Sequence, residues 1–276
     1  MSSELTDFSR LCVHSITTKN WSIEQIAEHY PGAGIPAVSV WRQNLQDRSP
    51  AQTGELLRSS GLDIVSLVRG GFFPSISPLQ RDEAVRDNMK AIDDASALGS
   101  PLLVLVCGAD PGQSLEISRN QIRQGIERIL PHAVQQQVKL ALEPLHPMYA
   151  DTRSAVNTLK QANDLVEEIG DSALGIALDV YHLWWDPDLR REILRCGKRG
   201  NIFAFHVCDW KVPTGDMLND RGLMGEGCIP IRQIRQWVEA AGFDGYIEVE
   251  IFSETWWAAD TGDFLEKIKT AYLDNV

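Results

Sequence analysis

The sequence lacks the features that mark secreted and membrane-spanning proteins. Its five cysteines are odd in number and form no CxxC pair, which argues against a disulfide framework and a structural zinc site. The longest apolar run, PLLVLVC at 101–107, is far shorter than the roughly 20 residues that cross a bilayer as a helix. The opening MSSELTDFSRL has no basic start followed by an apolar stretch, unlike a secretory signal. We therefore expect a cytoplasmic protein that does not bind membranes.

Positive charge is also scarce. The chain has 26 Lys and Arg against 38 Asp and Glu, which gives a formal net charge of −12. Such a surface repels the phosphate backbone over most of its area. We therefore expect no nucleic-acid partner.

Eight short segments rich in leucine and β-branched residues predict strands. They are LCVHSI (11–16), PAVSVW (36–41), LDIVSLV (62–68), LLVLVC (102–107), VKLALE (138–143), LGIALDV (174–180), IFAFHV (202–207) and YIEVEIF (246–252). The stretches between them have the periodicity of amphipathic helices.

The alternation of strands and helices predicts the fold class. It implies parallel strands joined by right-handed crossovers, and eight units of roughly 35 residues suit a closed (β/α)8 barrel, the TIM barrel. We predict one α/β barrel domain over residues 1–276. The alternative, a doubly wound open sheet, usually has a Gly-rich loop after its first strand, whereas ITTKNWS follows here.

Polar residues near the ends of the last four strands predict a site. Barrel side chains alternate between the interior and the helix layer, and functional groups collect at the C-terminal strand ends. The polar residues that alternation turns inward at one level are Glu143, Asp179, His206 and Glu250.

A cation is the simplest way to hold these four residues together. Three converging carboxylates would repel each other and raise each other's pKa. Three oxygen ligands and one imidazole suit Mn²⁺, Co²⁺ or Mg²⁺ better than structural zinc, which prefers thiolates. We therefore predict a divalent metal site, with Mn²⁺ as the first choice.

Two further expectations concern the strand interiors. Glu248 lies one layer deeper than the four-residue set, and we expect it to form an ion pair with an inward Lys139. In the seventh strand, Phe203, Phe205 and Val207 are expected to face the helices.

The motifs around these positions resemble a known family. EP at the fifth strand, LDVYH at the sixth, HVCD at the seventh, RGLMGEG at 221–227 and GYIEVE at the eighth are similar to those of the xylose isomerase-like TIM barrels. This sugar isomerase and epimerase superfamily includes tagatose 3-epimerase-like enzymes and inosose dehydratases. The resemblance implies that the four residues bind Mn²⁺ or a similar ion, and that His182 and Arg221 hold substrate oxygens. It departs at Cys208, where many relatives have lysine.

The chemistry that fits this site is proton transfer next to a carbonyl. A metal bound by a ketose carbonyl and its neighbouring hydroxyl acidifies the adjacent C–H and stabilises the enediolate. Glu143 and Glu250 are the natural pair to remove and return the proton, and the resemblance to epimerases implies the same roles. We therefore predict a divalent-metal-dependent isomerase or epimerase of a small sugar or glycoside.

His146, in EPLHPMY, keeps an alternative open. An imidazole just beyond Glu143 could act as a base independent of the metal ligands. A histidine at this position is similar to one in the large subunit of C-glycoside deglycosidases, which belong to this superfamily. This resemblance implies a lyase that acts on 3-oxo-glycosides or on inososes. It also implies a small partner subunit if the enzyme is deglycosidase-like. A third candidate, an enzyme resembling endonuclease IV, needs more metal ligands and a basic groove, and six histidines with a −12 charge disfavour it.

Aromatic residues follow several strands and could form a substrate wall. They are Trp41, Phe72, Phe73, Tyr149, Trp184, Trp185, Trp256 and Trp257. Their faces could stack on sugar C–H surfaces, with Trp184 selected as a substrate contact, or could bury the interface of a homo-oligomer. No phosphate-binding motif stands out at the seventh and eighth strand ends, which favours a free sugar or glycoside.

Overall fold

Eight parallel strands close into a barrel in the computed structural model, which describes residues 4–276. Each strand pairs with the next along the chain, and the eighth pairs with the first. The strands are β1 (Leu11–His14), β2 (Ala37–Trp41), β3 (Asp63–Gly71), β4 (Leu102–Val106), β5 (Lys139–Glu143), β6 (Leu174–Asp179), β7 (Ile202–Val207) and β8 (Ile247–Val249). The predicted single (β/α)8 TIM barrel is therefore confirmed.

Helices lie between the strands, as the periodicity predicts. They are α1 (Ile23–Gly32), α2 (Pro50–Ser59), α3 (Pro78–Leu98), α4 (Leu115–Gln135), α5 (Leu159–Ile169), α6 (Val180–Leu183), α7 (Leu189–Gly197), α8 (Ile231–Ala240), α9 (Glu254–Ala258) and α10 (Thr261–Asn275). Within residues 4–276, none of them is long and apolar enough to cross a membrane.

Hydroxyl side chains fix where the long helices begin. Ser22, Ser49, Ser77, Ser114 and Thr158 each precede a helix and accept the backbone N–H three residues ahead. Each cap satisfies a donor that the first helical turn leaves unpaired. The loops at the C-terminal end of the barrel therefore have defined lengths.

The apolar core has two layers. The larger one lies between the strands and the helices, and a smaller cluster fills the barrel. Alanines at 141, 177 and 204 belong to the inner cluster, which also contains Trp41 and Phe252. Small side chains in the middle of the barrel leave space for these large rings near the C-terminal mouth.

The position of Phe203 differs from the prediction. β6 and β7 pair at Ile176 with Ile202 and then at Ala177 with Ala204, so β7 has one extra residue between these pairs. Phe203 packs against the inner cluster, and a Cβ on Gly175 would lie 2.5 Å from its ring. The prediction that Phe203 faces the helices is wrong because this bulge shifts the register.

Candidate metal centre

Four buried polar side chains meet at the C-terminal end of the barrel. They come from the ends of β5 and β6, from β7 and from the residue after β8: Glu143, Asp179, His206 and Glu250. One potential ligand atom of each lies within 4.8 Å of the others. Asp179 and His206 are direct partners in the strand register. The structure thus brings together the four residues that the strand pattern selects, and we call them the four-residue cluster.

Burial makes the charges of the four-residue cluster costly. It raises the pKa of the Asp179 carboxyl, although Arg221 opposes the rise. Burial acts to lower the pKa of His206, but the surrounding glutamates, led by Glu248, raise it to about 10. Three desolvated carboxylates and an imidazole within one small volume fit a divalent cation, which would offset their mutual repulsion and displace the proton from the imidazole.

His14 joins two glutamates beneath the four-residue cluster. Its Nε2 lies 3.0 Å from Oε2 of Glu248, and its Nδ1 lies 3.1 Å from Oε1 of Glu250. The Ser39 hydroxyl donates a 2.5 Å hydrogen bond to Glu248. Burial opposes protonation of His14, but the two glutamates raise its pKa overall. We call His14, Ser39 and Glu248 the support network.

The support network corrects the prediction for Glu248. Lys139 is exposed, with its ammonium 4.7 Å from the ring of Phe203, so the predicted ion pair with Glu248 is wrong. The register of β1 and β8 places Cys12 opposite Glu248, and His14 shares a strand face with Cys12. The alternation of LCVH could have revealed His14 as an inward residue.

Arg221 lies inside the site and not in solvent, with 3% of its surface exposed. Its Nη1 donates to Oδ2 of Asp179 at 3.1 Å and to Oε2 of Glu250 at 2.8 Å. Its Nη2 lies 3.4 Å from Nε2 of His182. Nε of Arg221 and Nδ1 of His182 are buried and have no hydrogen-bond partner among the described residues.

His182 and Cys208 both lie next to Arg221. Burial, with the charge of Arg221, holds the pKa of His182 well below its ordinary value, so the imidazole is neutral. Cys208 is buried with its sulfur 3.9 Å from Nη1 of Arg221. All five cysteines are unpaired, as predicted.

The loop that begins at Arg221 is held by one carboxylate. Asp209 accepts the backbone N–H groups of Gly225 and Gly227 at 2.9 Å and that of Ile229 at 3.0 Å. A Cβ on Gly227 would lie 2.1 Å from the carbonyl oxygen of Trp210, so only glycine fits this close approach. The GEG motif therefore positions the loop, and with it the arginine.

A small cavity lies over the four-residue cluster. Its volume is about 20 Å³, roughly the space of one water molecule. Besides members of the cluster, its lining includes Trp41, Arg69, Tyr149, Arg153, Leu218 and Phe252. The segment 211–220 covers it, because Tyr149 and Tyr181 both donate their hydroxyls to the carbonyl of Met217, the latter at 3.2 Å. The cavity is therefore too small for a molecule much larger than water.

The predicted wall residues lie in different places, and their role as a substrate wall stays a prediction. Trp41 and Tyr149 line the cavity, and so does Phe252, which the sequence reasoning did not select. Phe73 is instead buried in the outer core. Trp184 is not part of the cavity lining; it packs 5.6 Å from Trp210, and its indole nitrogen is buried without a partner among the described residues.

His146 lies at the rim, outside the cavity lining. Its ring is 5.0 Å from Trp210 and 5.6 Å from Trp185. Its Nδ1 accepts the backbone N–H of Met148 at 3.2 Å, and burial lowers its pKa. The predicted role of His146 as a base stays a prediction.

Comparisons with known proteins agree with this geometry. The family model described as xylose isomerase-like TIM barrel matches residues 27–271. Protein SMc04130 from Sinorhizobium meliloti 1021 is 42% identical, with a TM-score of 0.93 over 96% of this chain and 98% of that chain. The inosose isomerase of Halalkalibacterium halodurans is 24% identical over 95% of this chain and 93% of its own length. The IOLI protein, solved with a binding zinc atom, is 19% identical and has the same fold, with a TM-score of 0.83 over 96% of this chain and 97% of that chain.

Proposed function

The chain belongs to the xylose isomerase-like TIM barrel family, and on that premise we propose that it is a divalent-metal-dependent sugar isomerase or epimerase. The observation that carries the proposal is the four-residue cluster, in which three carboxylates and one imidazole share a buried volume. The similarity to an inosose isomerase supports the sugar substrate. The zinc atom of a protein with the same fold supports a bound metal.

The four-residue cluster would hold the ion. Its oxygen-rich donor set favours Mn²⁺, with Co²⁺ or Mg²⁺ as alternatives. When bound, such an ion withdraws electrons from the carbonyl and adjacent hydroxyl of the sugar, which acidifies the neighbouring C–H.

Glu143 and Glu250 are held differently, and this suggests their roles. Glu250 lies 3.1 Å from His14 and 2.8 Å from Arg221, and although burial opposes them, these cations lower its pKa. Glu143 has His206 at 3.0 Å from Oε1, and no hydrogen bond within residues 4–276 reaches its Oε2. We assign removal of the proton to Glu143, which would then release it to solvent. Glu250, ionised at rest, would relay a proton from solvent to the opposite face of the same carbon.

His182 and Arg221 would orient the substrate. Both line the cavity, and each has an unpaired buried nitrogen. A neutral imidazole can donate to or accept from a sugar hydroxyl, while the guanidinium stabilises negative charge that develops on oxygen.

Exchange of a carbon-bound proton with solvent deuterium tests the proposal. We expect the Mn²⁺-loaded enzyme to incorporate deuterium next to the carbonyl of at least one member of a panel of ketoses, inososes and 3-oxo-glycosides. Glu143→Gln should slow this exchange by at least about 100-fold, whereas Glu250→Gln should retain exchange but lose epimer formation. Glu254→Gln, an exposed glutamate beyond β8, is the matched control. A panel without any exchange would contradict the proposal.

The lyase alternative depends on His146. Because His146 lies outside the cavity lining, we expect His146→Ala to reduce turnover by less than about tenfold. A loss above about 100-fold, with normal metal content, would instead support elimination from a 3-oxo-glycoside or inosose.

Assembly and location are separate predictions. A homo-oligomer is expected from the aromatic residues at the mouth, and a small partner subunit only if the enzyme is a deglycosidase-like lyase. Light scattering on the purified chain would test the first, and the predicted cytoplasmic location would be tested by cell fractionation.

A further inference from the structure

Two arginines line the cavity without an acidic partner. Arg69 lies on β3, and Arg153 lies between β5 and α5. Within residues 4–276, neither forms a salt bridge, and the buried Nε of Arg69 has no hydrogen-bond partner. Their guanidinium groups contact aromatic rings instead, Arg69 at 4.3 Å from Phe72 and Arg153 at 5.7 Å from Tyr149.

Other arginines at the same end of the barrel are paired. Arg42, directly after β2, donates to both carboxylate oxygens of Asp87 at 2.8 and 2.9 Å. Arg221 binds two carboxylates of the four-residue cluster. Burial, and next the charge of Arg153, lowers the pKa of Arg69 to about 10. The two unpaired guanidinium groups are thus close enough to repel each other.

The carboxylates of the metal centre have closer cationic partners than Arg69 and Arg153. Its negative groups are the carboxylates of Glu143, Asp179, Glu248 and Glu250. Arg221 donates to Asp179 and Glu250, and a divalent ion held by the four-residue cluster would bring two further positive charges. Arg69 and Arg153 line the same cavity as Glu143 and Glu250, yet within residues 4–276 no carboxylate lies at salt-bridge distance from either guanidinium group. Partly desolvated cations of this kind are stabilised when an anion reaches them.

We propose that Arg69 and Arg153 bind an anionic group of the substrate, so that the substrate is a polyhydroxy carbonyl compound carrying a carboxylate or a phosphate. The inference rests on the proposed function, because it assigns the end of the substrate that does not react. Both anions offer oxygens that accept charge-assisted hydrogen bonds from guanidinium groups. The expectation of an uncharged sugar considered only the ends of β7 and β8, whereas these arginines follow from β3 and β5.

Three unreactive polyols of equal chain length separate these possibilities: D-glucitol, D-gluconate and D-glucitol 6-phosphate. Calorimetric titration into the Mn²⁺-loaded protein should show at least one charged probe binding at least about tenfold more tightly than D-glucitol. The preferred probe identifies the anion. In the double variant Arg69→Gln, Arg153→Gln, the preference should fall below about twofold. Arg128→Gln, an exposed arginine paired with Asp82 at 2.8 Å, should keep it.

The result that overturns the inference is equal binding of all three probes to the unmodified protein, or a preference that survives the double substitution. The lysine variants Arg69→Lys and Arg153→Lys retain charge without the planar fork, and they take the place of the glutamine variants if those do not fold. Deuterium exchange on a neutral ketose without any anion preference would contradict this inference and keep the proposed function. An anion preference without exchange on any acidic or phosphorylated ketose would keep this inference and contradict the proposed function.

Discussion

Single residues outside the four-residue cluster decide how it is charged. His14 touches both Glu248 and Glu250 at about hydrogen-bond distance, and the two glutamates raise its pKa against the effect of burial. Ser39 fixes Glu248 from the other side. The support network therefore contacts Glu250 from beneath, and two of its members, His14 and Glu248, form with His206 a second group of side chains that could hold an ion.

Replacing His14 tests this support. In His14→Gln, we expect the affinity for Mn²⁺ to fall by about 10- to 100-fold, because Glu250 loses the partner that orients it. Competition with a fluorescent chelator measures the affinity. His132→Gln, in which an exposed histidine loses its 2.7 Å contact with Asp93, should bind Mn²⁺ normally. An unchanged affinity in His14→Gln would show that Glu250 is positioned by Arg221 alone.

At the scale of loops and helices, single carboxylates connect segments that are distant in sequence. Asp209 collects three backbone N–H groups of the loop that begins at Arg221. Far from the site, Glu192 of α7 accepts a 3.1 Å hydrogen bond from Asn163 of α5 and joins the two helices. Each carboxylate thus links its own segment to another segment that is distant in sequence.

Removing the Asp209 carboxylate should free the loop. In Asp209→Ala, three backbone donors of the loop and that of Trp210 lose their acceptor, so we expect a loss of about 3 to 4 kcal/mol in the free energy of unfolding and a turnover reduced at least about tenfold. Urea denaturation and kinetics measure the two effects. Asp171→Ala removes one 2.8 Å turn hydrogen bond distant from the site and should affect stability only slightly. Full activity in Asp209→Ala would show that Arg221 keeps its place without this loop.

The contact between α5 and α7 should make stability depend on pH. Burial acts to raise the pKa of Glu192, but hydrogen bonds from Asn163, Arg191 and Arg195 lower it below the ordinary 4.5. A lowered carboxyl pKa stabilises the fold above the ordinary value, and that stabilisation disappears as the pH falls through the folded pKa. Glu192→Gln should therefore cost about 2 kcal/mol at pH 7 and progressively less below pH 4.5. An equal cost at every pH would contradict this assignment.

For the barrel as a whole, the bound ion is also a stabilising ligand. An ion at 100 times its dissociation constant adds about 2.7 kcal/mol, which corresponds to roughly 5 to 10 °C in the melting temperature of a protein of this size. We expect a chelator to lower the melting temperature by this amount and Mn²⁺ to restore it. Asp179→Asn should lose the response and Glu254→Gln should keep it. A chelator without effect would contradict the metal proposal.

The sequence was informative where the structure follows one strict period. Alternation along β5 to β8 selected the four-residue cluster, and the order of strands and helices predicted the barrel. The predictions were wrong where the direction or the partner of a side chain depends on a neighbouring strand. Phe203 turns inward through a bulge that depends on β6, and Glu248 meets His14 because the barrel closes between β1 and β8. The unpaired state of Arg69 and Arg153 likewise depends on contacts between distant segments.

The hydrogen bonds that attach segment 211–220 to the barrel affect which sequence changes this segment tolerates. Two tyrosine hydroxyls grip the main-chain oxygen of Met217, while the methionine side chain projects into solvent. Every amino acid offers that same oxygen, so substitutions at position 217 can change the exposed side chain and still keep both hydrogen bonds. Related proteins can therefore differ in the exposed surface of this segment, and in what binds to it, while the segment stays attached to the barrel in the same way.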